Sequence, residues 1–200
     1  MRSTEGDDPT QKASRRAPRR APGCERALVA STSIAVLAGG VWLGGMLTLG
    51  AIAAPVVFGM LAAPSSGDVM TTVFRRFDKV ALSCAGIIVV AEVVRAMVRK
   101  RVGKLDVARI ASVLIATGLL VWQAMVLSPT IEALHRGGAV RGSGEGGMQL
   151  DSVHDLAENE SKVQLLFVAA IIVMHVASIA WRGERRAVRA KRGLDEAVNT

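Results

Sequence analysis

The sequence has no tyrosine, and phenylalanine and tryptophan together make up only 4% of its 200 residues. Proteins that hold single-stranded nucleic acid stack its bases on aromatic side chains. This composition argues against nucleic acid as a partner, despite a net charge of +8. Cysteine is also scarce, because only Cys24 in a basic stretch and Cys84 in an apolar one are present. Their different surroundings exclude a disulfide framework and predict two free thiols.

Catalytic signatures are missing as well. No residues have the arrangement of a nucleophile, a base and an orienting group. The glycine-rich segment 136–147 lacks the strand, the lysine and the Ser/Thr of a phosphate-binding loop. The two halves of the chain show none of the internal repeats from which many transporters are built. We therefore expect a protein that is not an enzyme and binds no cofactor.

Hydrophobic residues are what the chain has in abundance, 50% of the total, gathered into long runs. A helix needs about 20 residues to cross a hydrocarbon core of about 30 Å, and its backbone must be hydrogen-bonded internally. The runs predict spans at about residues 27–49, 80–98, 110–127 and 163–181. Ser128 and Pro129 disfavour a straight continuation of the third helix. The predicted fold is an all-α, integral membrane four-helix bundle over residues 27–182.

Three segments outside these spans have their own predictions. Residues 1–26 mix arginine, proline, serine and acidic residues without apolar periodicity, which predicts a disordered tail. Residues 50–64 either extend the first helix after a kink near Pro55 or form a short interfacial helix. Residues 183–200 form a basic tail that either prolongs the last helix along an anionic leaflet or is solvated.

Lysine and arginine predict the orientation, because basic loops stay on the cytoplasmic side. The N-terminal tail carries seven, the connection after the second span six when Arg95 at the end of that span is included, and the C-terminal tail six when Arg182 is included, against six on the other side. This predicts a multi-pass protein of the cell (inner) membrane with both termini cytoplasmic. Its partners would be the lipid bilayer and, at the basic tails, anionic headgroups. A signal sequence cleaved near 51–53 is the rival interpretation, and it would break this charge pattern.

A small-residue face on the first span predicts helix packing. Gly40, Gly44 and Thr48 lie on one side of the helix and permit close approach of another helix. We favour a partner helix within the same chain. A second copy of the chain, forming a homo-oligomer, is the open alternative.

Ionisable residues inside the spans are candidates for function. His175 lies about two-thirds along the fourth span, and we favour a neutral imidazole bonded to a neighbouring helix over a haem, metal or proton role. Haem ligation by two histidines needs a second one within the membrane, whereas His135 and His154 belong to the outer connection. Glu92 and Arg95, three residues apart, are expected to pair on one helix face at the level of the headgroups.

The outer connection carries a short polar helix face, formed by Asp151, His154, Asp155 and Glu158. His154 and Glu158 lie one turn apart, so metal ligation is geometrically conceivable. Asp151 is a candidate helix cap. We favour a solvated acidic face that pairs with Arg75 or Arg76.

Four strings resemble the transmembrane-protein-205-like family. They are Trp-Leu-Gly at 42–44, Ala-Pro-Val-Val-Phe at 54–58, Phe-Arg-Arg-Phe at 74–77 and Ser-Pro-Thr-Ile-Glu-Ala-Leu at 128–134. The motif residues are Trp42, Gly44, Pro55, Phe58, Phe74, Arg76, Ser128 and Pro129. The resemblance covers about residues 30–180 and implies a four-span membrane domain without an established activity. Val153-His154-Asp155-Leu156 matches that family's Leu-His pair only loosely.

The first two spans also look like the membrane domain of copper-resistance D proteins, which have a Trp-x-Gly-Gly turn and an arginine-rich entry to the next helix. Copper handling or a haem-linked role is therefore the alternative function. Against it, Met46, Met125 and Met174 are the only methionines well inside spans and form no cluster with histidine. The sequence predicts a membrane protein of structural, interaction or transport-associated role.

Overall fold

The computed structural model describes residues 22–98 and 103–198, and every regular element in these ranges is a helix. The helices are α1 (Pro22–Thr48), α2 (Ala54–Met60), α3 (Ser65–Val98), α4 (Lys104–Trp122), α5 (Ser128–Arg136) and α6 (Gly144–Val198). Four continuous stretches are long and apolar enough to cross a membrane, namely Gly23–Met60, Ser65–Val98, Lys104–Arg136 and Gly144–Trp181. The all-α, four-span prediction is confirmed.

The helices at the two ends of the chain extend into both predicted tails. The N-terminal tail was expected to run to residue 26, but α1 already begins at Pro22, so residues 22–26 are helical. Residues 1–21 of that prediction lie outside the described residues. At the other end α6 continues unbroken to Val198. The basic segment therefore prolongs the last helix, as one of the two alternatives proposed.

The first and third spans each contain a π-helical turn directly before a proline. These turns are Leu49–Ala53 and Gln123–Leu127, and the helix continues past the proline in both spans. A regular α-helix would drive the ring of Pro55 or Pro129 against the carbonyl four residues earlier. In each wide turn the following amide instead bonds five residues back, Ala54 to Leu49 and Ser128 to Gln123, which relieves that clash. The first helix therefore extends to Met60. The third helix was predicted to run to about residue 127, with a straight continuation disfavoured by Ser128 and Pro129. It continues to Arg136, but only after the π-helical turn.

The four spans form a ring in chain order. Each span packs against its neighbours in sequence, and the fourth also packs against the first. The apolar core consists largely of small side chains, including Ala35, Ala38, Ala81, Ala85 and Ala116, around the buried ring of Trp42. Small residues let helix backbones approach closely in a membrane.

Glycines of the first span show which of its faces touches the bundle. A methyl group added at Gly39 would lie 2.9 Å from Ile172, and one added at Gly45 would lie 2.2 Å from Phe77. One added at Gly40 or Gly44 would meet nothing within 4 Å. The face of Gly40, Gly44 and Thr48 is exposed. The favoured prediction, that this face packs within the chain, is therefore wrong, while packing against a second copy stays a prediction.

This difference predicts opposite effects for two adjacent glycines. Gly45→Ala is expected to destabilise the protein by about 1–3 kcal/mol, because the partly buried ring of Phe77 has to move. Gly44→Ala, its matched control, is expected to be neutral or to stabilise the helix by up to about 1 kcal/mol. Thermal unfolding in mild detergent measures both. Equal midpoints for the two variants would contradict this packing.

Candidate functional site

Buried polar side chains lie at both ends of the apolar core. The Glu92 cluster consists of Thr32, Glu92, Arg95, Asp106, Arg109, His175 and Ser178. The Asp78 cluster consists of Asp78, Ser128, Glu160 and Gln164. On α3, Asp78 and Glu92 are fourteen residues apart, or about 21 Å at the rise of an α-helix. The bundle thus has two separate polar layers with an apolar layer between them.

A two-fold hydrogen-bonded ion pair joins α3 to α4 in the Glu92 cluster. Arg109 donates from Nε to Glu92 Oε1 at 2.7 Å and from Nη2 to Glu92 Oε2 at 2.9 Å. The exposed fractions of the two side chains are 1% and 7%. This fork geometry is the strongest form of carboxylate recognition by arginine. The prediction from the sequence was an ion pair between Glu92 and Arg95 at the level of the headgroups. Arg95 Nε does lie 3.9 Å from Glu92 Oε1, but the principal partner is Arg109 and the pair is buried.

Asp106 extends this ion pair towards the start of α4. Its Oδ1 accepts from Arg109 Nη2 at 3.0 Å, and its Oδ2 accepts from the backbone amide of Gly103 at 3.2 Å. Residues three apart share a helix face, and a carboxylate in the first turn is favoured by the helix dipole. One aspartate therefore caps α4 and holds the arginine that binds α3.

Arg95 connects α3 to its neighbour α1 and, across the ring, to α6. Its Nη1 donates to Thr32 Oγ1 on α1 and lies 3.3 Å from His175 Nδ1 on α6. Its Nη2 donates to Ser178 Oγ at 3.3 Å. The Arg95 side chain is 1% exposed. Because Arg109 joins α4 to α3, the two arginines together link all four spans.

The position of His175 defines its tautomer. A guanidinium can only donate hydrogen bonds, so Nδ1 facing Arg95 must be the unprotonated acceptor. The ring proton is then on Nε2, which lies 3.1 Å from Glu92 Oε1 without the alignment of a hydrogen bond. This assignment follows from the hydrogen-bond partners. His175 is therefore a neutral bridge between a cation and an anion, and it is completely buried.

The Asp78 cluster has acids without a comparable cation. Ser128 Oγ donates to Asp78 Oδ2 at 2.8 Å. Gln164 Nε2 donates to Glu160 Oε1 at 3.3 Å. Glu160 Oε2 has no hydrogen-bond partner among the described residues. Both acids are 5% exposed, so neither is solvated from the surface.

The outer connection is arranged differently from the prediction. Arg75 contacts Glu132, and Asp151 pairs with Arg141 at 2.5 Å. Pairing of the acidic face with Arg75 is therefore wrong. Asp151 lies inside α6, not at its start, and accepts from the amide of Gly142 at 3.0 Å.

The candidate metal residues are also in this region. Glu158 pairs with Lys162 at 2.7 Å. His154 packs edge-on against His135, with ring centroids 5.9 Å apart. Within the described ranges there is no group of three or more His, Cys, Asp or Glu residues placed to hold a metal ion.

The family-motif residues do not converge on one site. Trp42 is buried in the core, Ser128 belongs to the Asp78 cluster, and Pro55 and Pro129 follow the π-helical turns. Gly44, Phe58 and Arg76 are exposed and Phe74 is half-buried. The strings that carry the resemblance are thus mainly architectural.

The residues predicted from the sequence include Glu92, Arg95 and His175 of the Glu92 cluster and Ser128 of the Asp78 cluster. Asp106, Arg109 and Glu160 were not among them. The sequence does contain a signal for two of these residues. Asp106 and Arg109 are an acid and a base three residues apart, directly after a basic loop, and they repeat the spacing of Glu92 and Arg95.

The sequence model of one family, described as a domain of unknown function (DUF4149), matches residues 37–139. The match covers the C-terminal part of α1 and all of α2 to α5, and it ends before α6. It includes Asp78, Glu92, Arg95, Asp106, Arg109 and Ser128 but leaves out Thr32, Glu160, Gln164, His175 and Ser178. No curated protein and no solved structure matches the chain significantly.

Proposed function

The chain belongs to the DUF4149 family, whose domain has no assigned function, and on that premise we propose that it is a structural or interaction protein of the membrane and not an enzyme. The observation that carries this proposal is the Glu92 cluster. Two cations, Arg95 and Arg109, are matched there by two anions, Glu92 and Asp106. A charge-balanced set of this kind locks helices together.

The cluster fits a scaffold better than a substrate site. The carboxylate of Glu92 accepts two hydrogen bonds from Arg109, and His175 lies between Glu92 and Arg95. Buried ion pairs of this geometry specify one arrangement of helices, at a desolvation cost that an apolar core would not have. Binding an external ligand would require breaking contacts that hold the four spans in place. We infer that the cluster fixes the bundle and that recognition takes place on its outer surface.

We also propose the narrower relationship to the transmembrane-protein-205-like family. All four strings that carry the resemblance fall inside the matched range 37–139. The proposed location is the cell membrane, with both termini in the cytoplasm, on the basis of the lysine and arginine counts.

The first experiment is purification of the full chain from its own membrane in mild detergent, followed by light scattering, metal analysis and a visible spectrum. We expect a colourless, metal-free protein that elutes as a homo-oligomer or as a complex with a stable partner. Stoichiometric copper or a haem band would contradict it and favour the metal or haem alternative.

The basic helical extension predicts an interaction with anionic lipid. Each Lys or Arg near an anionic leaflet contributes about 1 kcal/mol, so R185Q/R186Q is expected to reduce retention of phosphatidylglycerol by roughly tenfold or more. Native mass spectrometry of the detergent-purified protein measures the retained lipid. R76Q/K79Q removes the same charge from exposed residues at the other end of the bundle and is the matched control. Equal losses in both variants would contradict a lipid site at the C-terminal segment.

A further inference from the structure

Glu160 is a buried acid whose carboxyl group has few polar contacts among the described residues. Its side chain projects from α6 into the bundle and the residue is 5% exposed. Oε1 accepts one neutral hydrogen bond from Gln164 at 3.3 Å. Oε2 has no hydrogen-bond partner among the described residues. A buried polar atom without a partner is rare enough to need a physical cause.

Comparison with Glu92 shows what is missing. The carboxylate of Glu92 is neutralised by the two parallel donors of Arg109 at 2.7 and 2.9 Å. No Lys or Arg of the described residues forms an ion pair with Glu160. A carboxylate taken out of water without a cation is so costly that the group takes up a proton instead.

A second buried acid opposes ionisation further. Asp78 on α3 interacts electrostatically with Glu160 across the ring. Its Oδ2 accepts a hydrogen bond from the hydroxyl of Ser128 at 2.8 Å. Two buried carboxyl groups that repel each other do not both carry a charge at low cost.

The other charged groups in this region form no ion pair with Glu160 within the described residues. Arg75 on α3 contacts Glu132 on α5, which also contacts Arg136, and the charge of Arg75 favours the ionised form of Asp78. On α6 itself, Glu158 pairs with Lys162 in the exposed surface. The first span has no charged residue between Arg26 and Asp68, so α1 and α2 supply no countercharge.

We propose that Glu160 is a proton-binding site at the end of the bundle opposite the Glu92 cluster, and that the negative charge of Asp78 favours the bound proton. The proton resides mainly on Glu160, because the hydroxyl of Ser128 stabilises the ionised form of Asp78. The unpartnered Oε2 is the atom that carries it. The Glu92 cluster, with its own cations, has no need of such a proton. This site is independent of the structural role proposed for that cluster.

Infrared difference spectroscopy tests the site on the full chain. Protein in a detergent without ester or carboxyl groups is titrated from acid to alkaline pH, and the carbonyl stretch of a buried carboxylic acid is followed. Labelling glutamate with ¹³C at the side-chain carboxyl distinguishes glutamic from aspartic acid. The expected result is a glutamic acid band that persists at neutral pH and is lost in Glu160→Gln.

Two further variants separate this proposal from a structural effect. Asp78→Asn removes the opposing charge, so the pH at which the band disappears is expected to fall by about one unit or more. Glu158→Gln, two residues away on the exposed face, is the matched control and is expected to leave the band and its titration unchanged.

Four outcomes overturn the proposal. These are absence of a buried acid band at neutral pH, persistence of the band in Glu160→Gln, an unchanged titration in Asp78→Asn, and loss of the band on adding sodium at constant pH. The last would show a site for a metal cation and not for a proton. Glu160→Gln is nearly isosteric, and its thermal midpoint, measured in parallel, reports whether the variant is folded.

Discussion

Arg109→Gln is expected to destabilise the folded bundle by about 3–5 kcal/mol, the typical cost of removing one partner of a buried ion pair. The guanidinium is 1% exposed and binds both oxygens of Glu92 and one of Asp106. Without it, Glu92 keeps only His175 and a long contact to Arg95. The stability of the purified variant in detergent, from its thermal midpoint and its recovery as a monodisperse peak, measures the effect.

A paired variant shows whether charge or shape is responsible. In Glu92→Gln combined with Arg109→Gln the uncompensated charge is removed together with its partner, so much of the lost stability is expected to return. Arg136→Gln, which removes an arginine from an exposed pair with Glu132, is expected to change little. A double variant no more stable than Arg109→Gln alone would show that the contact acts through packing.

His175→Leu is expected to destabilise the protein by about 2–3 kcal/mol, because the hydrogen bond to Arg95 and the polar contact to Glu92 are lost without replacement. The imidazole is completely buried between Arg95 at 3.3 Å and Glu92 at 3.1 Å. Leucine fills a similar space but leaves both charged groups facing an apolar side chain. Thermal unfolding measures the loss.

The same variant discriminates between the structural role and the metal or haem alternative. His154→Leu, which changes the half-buried histidine of the outer connection, serves as the control and is expected to have a smaller effect on stability. Metal content and visible spectrum are expected to be the same in both variants and in the parent. Loss of stoichiometric copper or of a haem band in either variant would make that histidine a ligand.

The existence and position of the spans could be predicted because they depend on composition alone. A long continuous apolar run is helical in lipid, because a helix satisfies all of its backbone hydrogen bonds within one segment. Which face of a helix looks inward does not follow from such runs. Gly40 and Gly44 have the right spacing for helix contact, yet Gly39 and Gly45 make the close approaches, because the rotation of α1 depends on the packing of all four spans.

Partners of the buried charges are likewise a property of the assembled bundle. Glu92 and Arg95 are a local pair by spacing, but the forked partner of Glu92 lies seventeen residues away on another helix. Glu160 on α6 interacts electrostatically with Asp78 on the diagonal helix α3 only when the ring has closed. Local spacing predicts that such residues share a face, and it says nothing about what that face meets.

The two π-helical turns also determine how the chain tolerates insertions and deletions. A hydrogen bond that closes over five residues accommodates one more residue than an α-turn does. The wide turn Gln123–Leu127 therefore absorbs an additional residue locally, and Ser128 and Glu132 still point at α3. Deleting one residue there would restore a regular helix but place the ring of Pro129 against the carbonyl of the preceding turn. The extra residue thus relieves the steric conflict that Pro129 would have in a regular helix.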